Sequence, residues 1–444
     1  MRTIFFPAAT LVLLATTAVA TATESLQLTG NTMGTYYSIV VDSPPQSLGD
    51  GSALKAKVES TLKEVNRQMS TWDETSEISR FNSSTSTDWF DVSGEFAMVV
   101  AEARKIHELS DGAFDPTLAP LISLWGFGDR RDKQIPNQAA IEEAKQSTGM
   151  KHLEVRLTPP ALKKAIPTLQ INLSAIAKGY GVDAVGNLLD AEHLTSYVVD
   201  IGGENRTGLA KSSGGAWKLG IESPKGGLKR ILQLTETSVA TSGDYRNFFE
   251  IDGVTYSHAI DPTTGWPVKN PPASVTVTHK SCMTADAWAT TMMILGAERG
   301  VEVASKNGLP VLFQLIQSDG SFTELSNEEF KALPQTEVAE SDPDVTDTSP
   351  APNVTDTKKN TAKWFPFAAA AVLFVLAIGG MAIGTMLQNK SIKGSCGGLA
   401  SMPGSDGKSI CELCTIPKDQ CTNAELKEQM QAAAEKREAS GQQA

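Results

Sequence analysis

From about Leu26 to Leu333 the chain alternates strand-like apolar runs with longer helix-like stretches. Thr35–Val41 reads as a strand, and Tyr197–Asp200 as a buried strand running into Ile201-Gly-Gly203. Trp217–Ile221 and Ile231–Leu234 suggest two more. Phe248–Ile251 and Val254–Ser257 flank Asp252-Gly253, the turn chemistry of a hairpin. Leu54–Met69 and Gly94–Leu109 read as helices, the second followed by an Asp111-Gly112 turn. At Ile171-Asn-Leu-Ser174 a strand is expected to run into a helix capped by Ser174. An apolar helix opens at Thr284 and ends at Gly296. This order implies an α+β domain with a largely antiparallel sheet.

The flanks follow different patterns. Residues 1–22 carry Arg2, the apolar Leu11–Leu14 and a small-residue site at Ala18-Val-Ala20, which reads as a secretory signal. Residues 335–363 are rich in Asp, Glu, Thr and Pro and bury too little to order, so they read as a disordered linker. Residues 364–387 are long and apolar enough for a transmembrane helix, with Trp364 and Phe365 at one interface. Export of the preceding domain would leave 388–423 and the polar tail 424–444 in the cytoplasm of a bacterium. The preceding domain would then lie on the periplasmic side of the inner membrane. Cysteine usage agrees: only Cys282 precedes the span, while Cys396, Cys411, Cys414 and Cys421 follow it, where thiols stay reduced.

Charge narrows the partners. With 51 acidic residues against 39 Lys and Arg, the formal charge is −12, and no basic stripe exists to track nucleic acid. Asp286 and Thr290 are four apart and stack on one helical face, half of an oxygen site for Mg²⁺. In isolation, an Asp near a helix start more often serves the helix dipole. The helix start near Ser174, with Lys178 one turn in, could hold a diphosphate without a P-loop, since no Walker sequence is present. Met33-Gly34-Thr35, Ser70-Thr-Trp72 and the Asp111–Pro116 turn, expected to expose Phe114 and Asp115, are loops suited to a planar ring; each also reads as ordinary capping and anchoring. His258 ends a strand before Asp261-Pro-Thr-Thr-Gly265, a place for proton transfer near neutral pH or for a structural histidine. His107, His152, His193 and His279 have no comparable neighbours.

Six separated blocks, MGT, STW…SEISRFN, DGAFDPT, NLSAIAKGYGVD, SHAIDPTTG and TADAWATTMMILG, resemble the ApbE family of FAD:protein FMN transferases over about Leu28–Leu333. The resemblance implies a two-subdomain fold with FAD in the cleft and Mg²⁺ at its diphosphate. By position, Met33, Trp72, Ala113, Phe114, Asp115, Asn172, Lys178 and Ile260 would contact FAD. Asp286 and Thr290 would bind Mg²⁺ through side chains, and Ala175 and Ala289 through backbone carbonyls. His258 and Asp261 would flank the reacting phosphate. Asn172 departs from the family's more frequent Asp and removes a charge. The implied reaction attaches FMN to a Thr or Ser hydroxyl of an acceptor protein and releases AMP. The same site would serve an FAD pyrophosphatase, or a non-catalytic tethered flavin- or iron-binding module.

Residues 365–421, with Lys-Gly-Ser-Cys396-Gly-Gly-Leu as the most specific part, resemble NqrM, a maturation protein of the Na⁺-translocating NADH:quinone reductase. This implies iron handling at Cys396, Cys411, Cys414 and Cys421, a set that also suits zinc or plain thiols. It also implies that the flavin acceptors are subunits of that membrane complex.

Overall fold

The computed structural model describes residues 25–127, 135–243, 248–251, 254–317 and 319–338. The chain divides into two units, Met1–Ala351 and Pro352–Ala444; the second lies outside the described residues. So do the expected signal, the membrane span and the four tail cysteines. No helix among the described residues is long and apolar enough to cross a membrane.

The frame is an eight-stranded antiparallel sheet whose strands lie side by side in chain order. They are β1 (Leu26–Thr32), β2 (Thr35–Val41), β3 (Tyr197–Ile201), β4 (Glu204–Thr207), β5 (Ser238–Gly243), β6 (Ser274–His279), β7 (Val311–Ile316) and β8 (Phe322–Ser326). Most other elements are inserted between neighbours, while Glu328–Lys331 and Gln335–Glu337 follow β8. Between β2 and β3 come α1 (Ser52–Met69), α2 (Gly94–Leu109), a three-stranded sheet and α3 (Ala177–Ala191). Trp217–Glu222 and Leu228–Leu234 pair between β4 and β5, and Phe248–Ile251 pairs with Val254–Ser257 between β5 and β6. The helix α4 (Cys282–Leu295) joins β6 to β7.

Why these residues form these elements is mostly local. Met33 and Gly34 both have positive φ, 50° and 74°, and form a two-residue turn closing Thr32 on Thr35. The MGT glycine is therefore required first by the hairpin. Val58, Leu62 and Val65 of α1 recur at helical spacing and are buried, with Val58 and Leu62 packing against Tyr37, Ile39 and Val199. α4 is buried nearly all round, from Ala285 to Met293, because it lies between the sheet and helices α2 and α3. Its sequence is for that reason mostly apolar all round, apart from Asp286 and its threonines.

Four expectations change. Ile171–Leu173 is not a strand, and α3 begins at Ala177 with Ile176 as an N-cap that makes no side-chain bond. Ser174 instead donates its hydroxyl and amide to Asn172 Oδ1, at 2.6 and 2.8 Å, a local turn that competes with helix capping. Phe114 is 4% exposed and part of the main core. Gln335–Glu337, expected in the linker, instead pair with Leu232–Arg230.

Candidate active site

The start of α4 is fastened twice. Ser281 caps it by accepting the Thr284 amide, and Asp183 of α3 accepts the Ser281 hydroxyl (2.7 Å) and the Cys282 and Met283 amides (both 3.0 Å). This fixes α4 against α3 and sets the height of Asp286 and Thr290. Gly179 lets the two helices touch: a Cβ there would lie 2.3 Å from the Cys282 carbonyl oxygen and 2.7 Å from Asp286 Cβ.

Asp286, 3% exposed, points at the first turn of α3. Its Oδ2 accepts the Gly179 amide at 2.9 Å, so it does for α3 what the N-cap does not. Gly179 lies in the first turn of α3, where amides have no partner inside the helix, and Ala175 precedes the N-cap. Among the described residues no backbone amide bonds the Ala175 carbonyl, which is left open beside Asp286's partner. Asp286 Oδ1 accepts no hydrogen bond from the described residues; its nearest charge is Lys178 Nζ at 3.9 Å. Thr290, one turn on, places its hydroxyl 3.3 Å from Ser242 Oγ of β5.

Glu204, the first residue of β4, completes the group and was not singled out by the sequence. It follows the Gly202-Gly203 turn, is 3% exposed, and sets Oε1 2.5 Å from Lys178 Nζ. Its Oε2 is buried with no hydrogen-bond partner among the described residues. Burial raises the Glu204 carboxyl against the pull of Lys178. Burial likewise raises Asp286 despite Lys178 and the Gly179 amide. Burial alone would lower Lys178, but Asp286 and Glu204 more than reverse it, so its ammonium persists well above the ordinary range. Two carboxylates share one ammonium, leaving negative charge in excess when all three are ionised.

The donors here fit a hard divalent cation. They are oxygens: Asp286 Oδ1, the Thr290 hydroxyl and the Ala175 carbonyl. Among the described residues no three His, Cys, Asp or Glu side chains form a closed cage. Water and phosphate oxygens would fill the remaining positions, as is usual for Mg²⁺. Ala289 fits less well. It is fully buried in the core and inside α4, where its carbonyl belongs to the helical ladder.

Met33 sulfur would lie 3.1 Å from a Cβ on Gly181 of α3, which sets the MGT turn over that helix. Asn172 donates its amide to the Pro116 carbonyl, joining it to the Ala113–Asp115 loop. Asp115 accepts the Thr117 amide and hydroxyl, and burial outweighs those bonds to raise its carboxyl. Phe114 and Ala259, next to His258, pack in the same core cluster as Ala177, Ala240 and Ala289. Trp72 is 75% exposed, an aromatic left in solvent at the end of α1. Ile260 is buried and bridges to Pro267. Asp261 spends its oxygens inside its own turn, on the Thr263 amide and the Thr264 hydroxyl, so it shapes the loop after His258.

Comparison with known proteins places this geometry. The model of the ApbE family matches residues 33–313, and that of the (Na⁺)-NQR maturation family NqrM matches residues 385–436. The chain is 43% identical to the FAD:protein FMN transferase of Vibrio cholerae, over 69% of this chain and 92% of that protein. It is 36% identical to that of Haemophilus influenzae, over 71% and 93%. Among solved structures, flavin transferase ApbE from Vibrio cholerae superposes with a TM-score of 0.65 at 42% identity, covering 70% of this chain and 99% of that one. The apo flavinyl transferase ApbE of Pseudomonas stutzeri gives 0.64 at 36% identity, over 70% and 97%. On fold, length of match and the blocks that build the Asp286 centre, this chain belongs to the ApbE family.

Proposed function

We propose that this chain, an enzyme that transfers FMN from FAD to acceptor proteins, does so with a divalent cation held at Asp286, Thr290 and the Ala175 carbonyl. The observation that carries the cation is the split role of Asp286: Oδ2 is tied to Gly179, and Oδ1 is left open in a buried, negatively charged setting. A bound Mg²⁺ supplies charge neutralisation at the diphosphate. The protein's own groups supply position. The first turn of α3 and the Lys178 ammonium face anionic phosphate. His258 accepts the proton of the acceptor Thr or Ser as its oxygen attacks the FMN-side phosphorus. The bond to the bridging oxygen breaks, AMP departs, and a phosphodiester joins FMN to the acceptor.

Two further proposals rest on the flanks. The match at residues 385–436 supports Na⁺-translocating NADH:quinone reductase subunits as acceptors, and the thiols of Cys396, Cys411, Cys414 and Cys421 would suit iron as its ligands. The signal-like start and the apolar stretch 364–387 support a membrane-anchored enzyme whose catalytic domain faces the periplasm.

The test is incubation of the full chain with FAD, Mg²⁺ and an acceptor subunit, followed by intact mass measurement. An acceptor heavier by one FMN, lost on chelation of the metal, is expected. Free FMN with an unmodified acceptor would mean hydrolysis instead, and transfer indifferent to chelator would remove the cation.

A further inference from the structure

A buried ion pair is weak evidence for stability, because desolvation offsets most of its attraction. The Glu204–Lys178 pair therefore calls for another reason to exist, the more so because Glu204 leaves one oxygen buried with no hydrogen-bond partner among the described residues. The distances supply one. Lys178 Nζ is reachable by two carboxylates, yet it stands at 2.5 Å from Glu204 and at 3.9 Å from Asp286, beyond hydrogen-bonding range. Were the ammonium to close on Asp286, it would occupy the open Oδ1 and place a positive charge where a cation must enter.

We propose that Glu204 is a positioning residue: it holds the Lys178 ammonium off Asp286 and so keeps that carboxylate available to the divalent cation. The inference rests on the cation reading above. Glu204 is placed for this by the backbone. The Gly202-Gly203 turn, with φ of 63° and 105°, returns the chain so that Glu204 pairs with Ile201, both buried. Among the described residues Lys178, on the first turn of α3, then has Glu204 and Asp286 as its ion-pair partners, with Asp200 a further carboxylate that feels its charge.

The test uses Mn²⁺ as probe, titrated into the full-length, flavin-free chain, with free Mn²⁺ read by electron paramagnetic resonance. Glu204→Gln keeps the shape and removes the charge. Letting the ammonium slide from 3.9 Å into contact with Asp286 is expected to weaken Mn²⁺ binding about tenfold at the effective dielectric of a protein site. The same substitution in a Lys178→Met background is expected to change the affinity by less than about twofold, since nothing remains to be held off. An equal loss in both backgrounds would overturn the proposal, because Glu204 would then act as a ligand or as simple charge. No loss in either would overturn it too, leaving a structural pair. If Glu204→Gln does not melt cooperatively, Glu204→Asp replaces it: the retracted carboxylate should give a smaller loss that again vanishes with Lys178→Met, and persistence of the loss counts against the idea. Wild-type chain that binds no Mn²⁺ would instead defeat the cation reading itself.

Discussion

Gly179→Ala sets helix propensity against tertiary contact. In the interior of a helix, alanine is favoured over glycine by about 1 kcal/mol. At this position the added methyl would meet the Cys282 carbonyl oxygen at 2.3 Å and Asp286 Cβ at 2.7 Å. A carbon–oxygen approach is ordinarily about 3.3 Å or longer, so α3 and α4 must part by about 1 Å. The obstacle is backbone and cannot rotate aside. Forcing a carbon against an immovable backbone falls in the upper half of the about 1–3 kcal/mol that overpacking costs, so about 1–2 kcal/mol of destabilisation remains after the propensity gain. The melting temperature should fall by about 2–6 °C. Activity should fall further than stability: the same shift stretches the Gly179 amide bond to Asp286 and moves the carboxylate, and a misplacement of about 1 Å can cost about 100-fold in rate. Thermal melting and the initial rate of FMN attachment, read by intact mass at saturating FAD, would measure both. A variant that melts at or above wild type and transfers FMN within about twofold of it would refute the close approach of the helices.

The other predictions follow the same contacts. Asp286→Ala should abolish Mg²⁺-dependent FMN attachment and Mn²⁺ binding together; full activity at low Mg²⁺ would contradict the metal assignment. Asp183→Ala removes three bonds from the start of α4 and should cost about 2 kcal/mol in urea unfolding, with a parallel loss of Mn²⁺ affinity. Lys164→Met strips the ammonium from the Ser84 and Leu169 carbonyls, at 2.7 and 3.0 Å, and should cost about 1–3 kcal/mol with little effect on flavin binding. A change under about 0.5 kcal/mol would show those carbonyls to be otherwise satisfied.

Local signals were read correctly where one short segment decides the outcome. The α2 span Gly94–Leu109, the Phe248–Ser257 hairpin and the stop of α4 at Gly296 all follow from residues adjacent in sequence. Asp286 and Thr290 were visible as a pair because four residues in a helix make one face. The errors arose where a partner lies far along the chain. Ser174 looked like the cap of α3, but Asn172 took its hydroxyl and Asp286, 107 residues away from Gly179, satisfied the helix amide instead. Phe114 looked exposed in its turn, yet helices α2 and α4 build the core around it.

The sequence by itself determined the alternation of elements, the family and the carboxylate–hydroxyl pair, because these depend on spacing and residue type within one segment. Only the tertiary structure decided what that pair can do. It brought Glu204 from the far side of a Gly-Gly turn to Lys178, opened the Ala175 carbonyl, and pressed α3 on α4 through a residue with no side chain. Each is a matter of burial and of charges meeting through space, and a charge has no neighbours until the chain has folded.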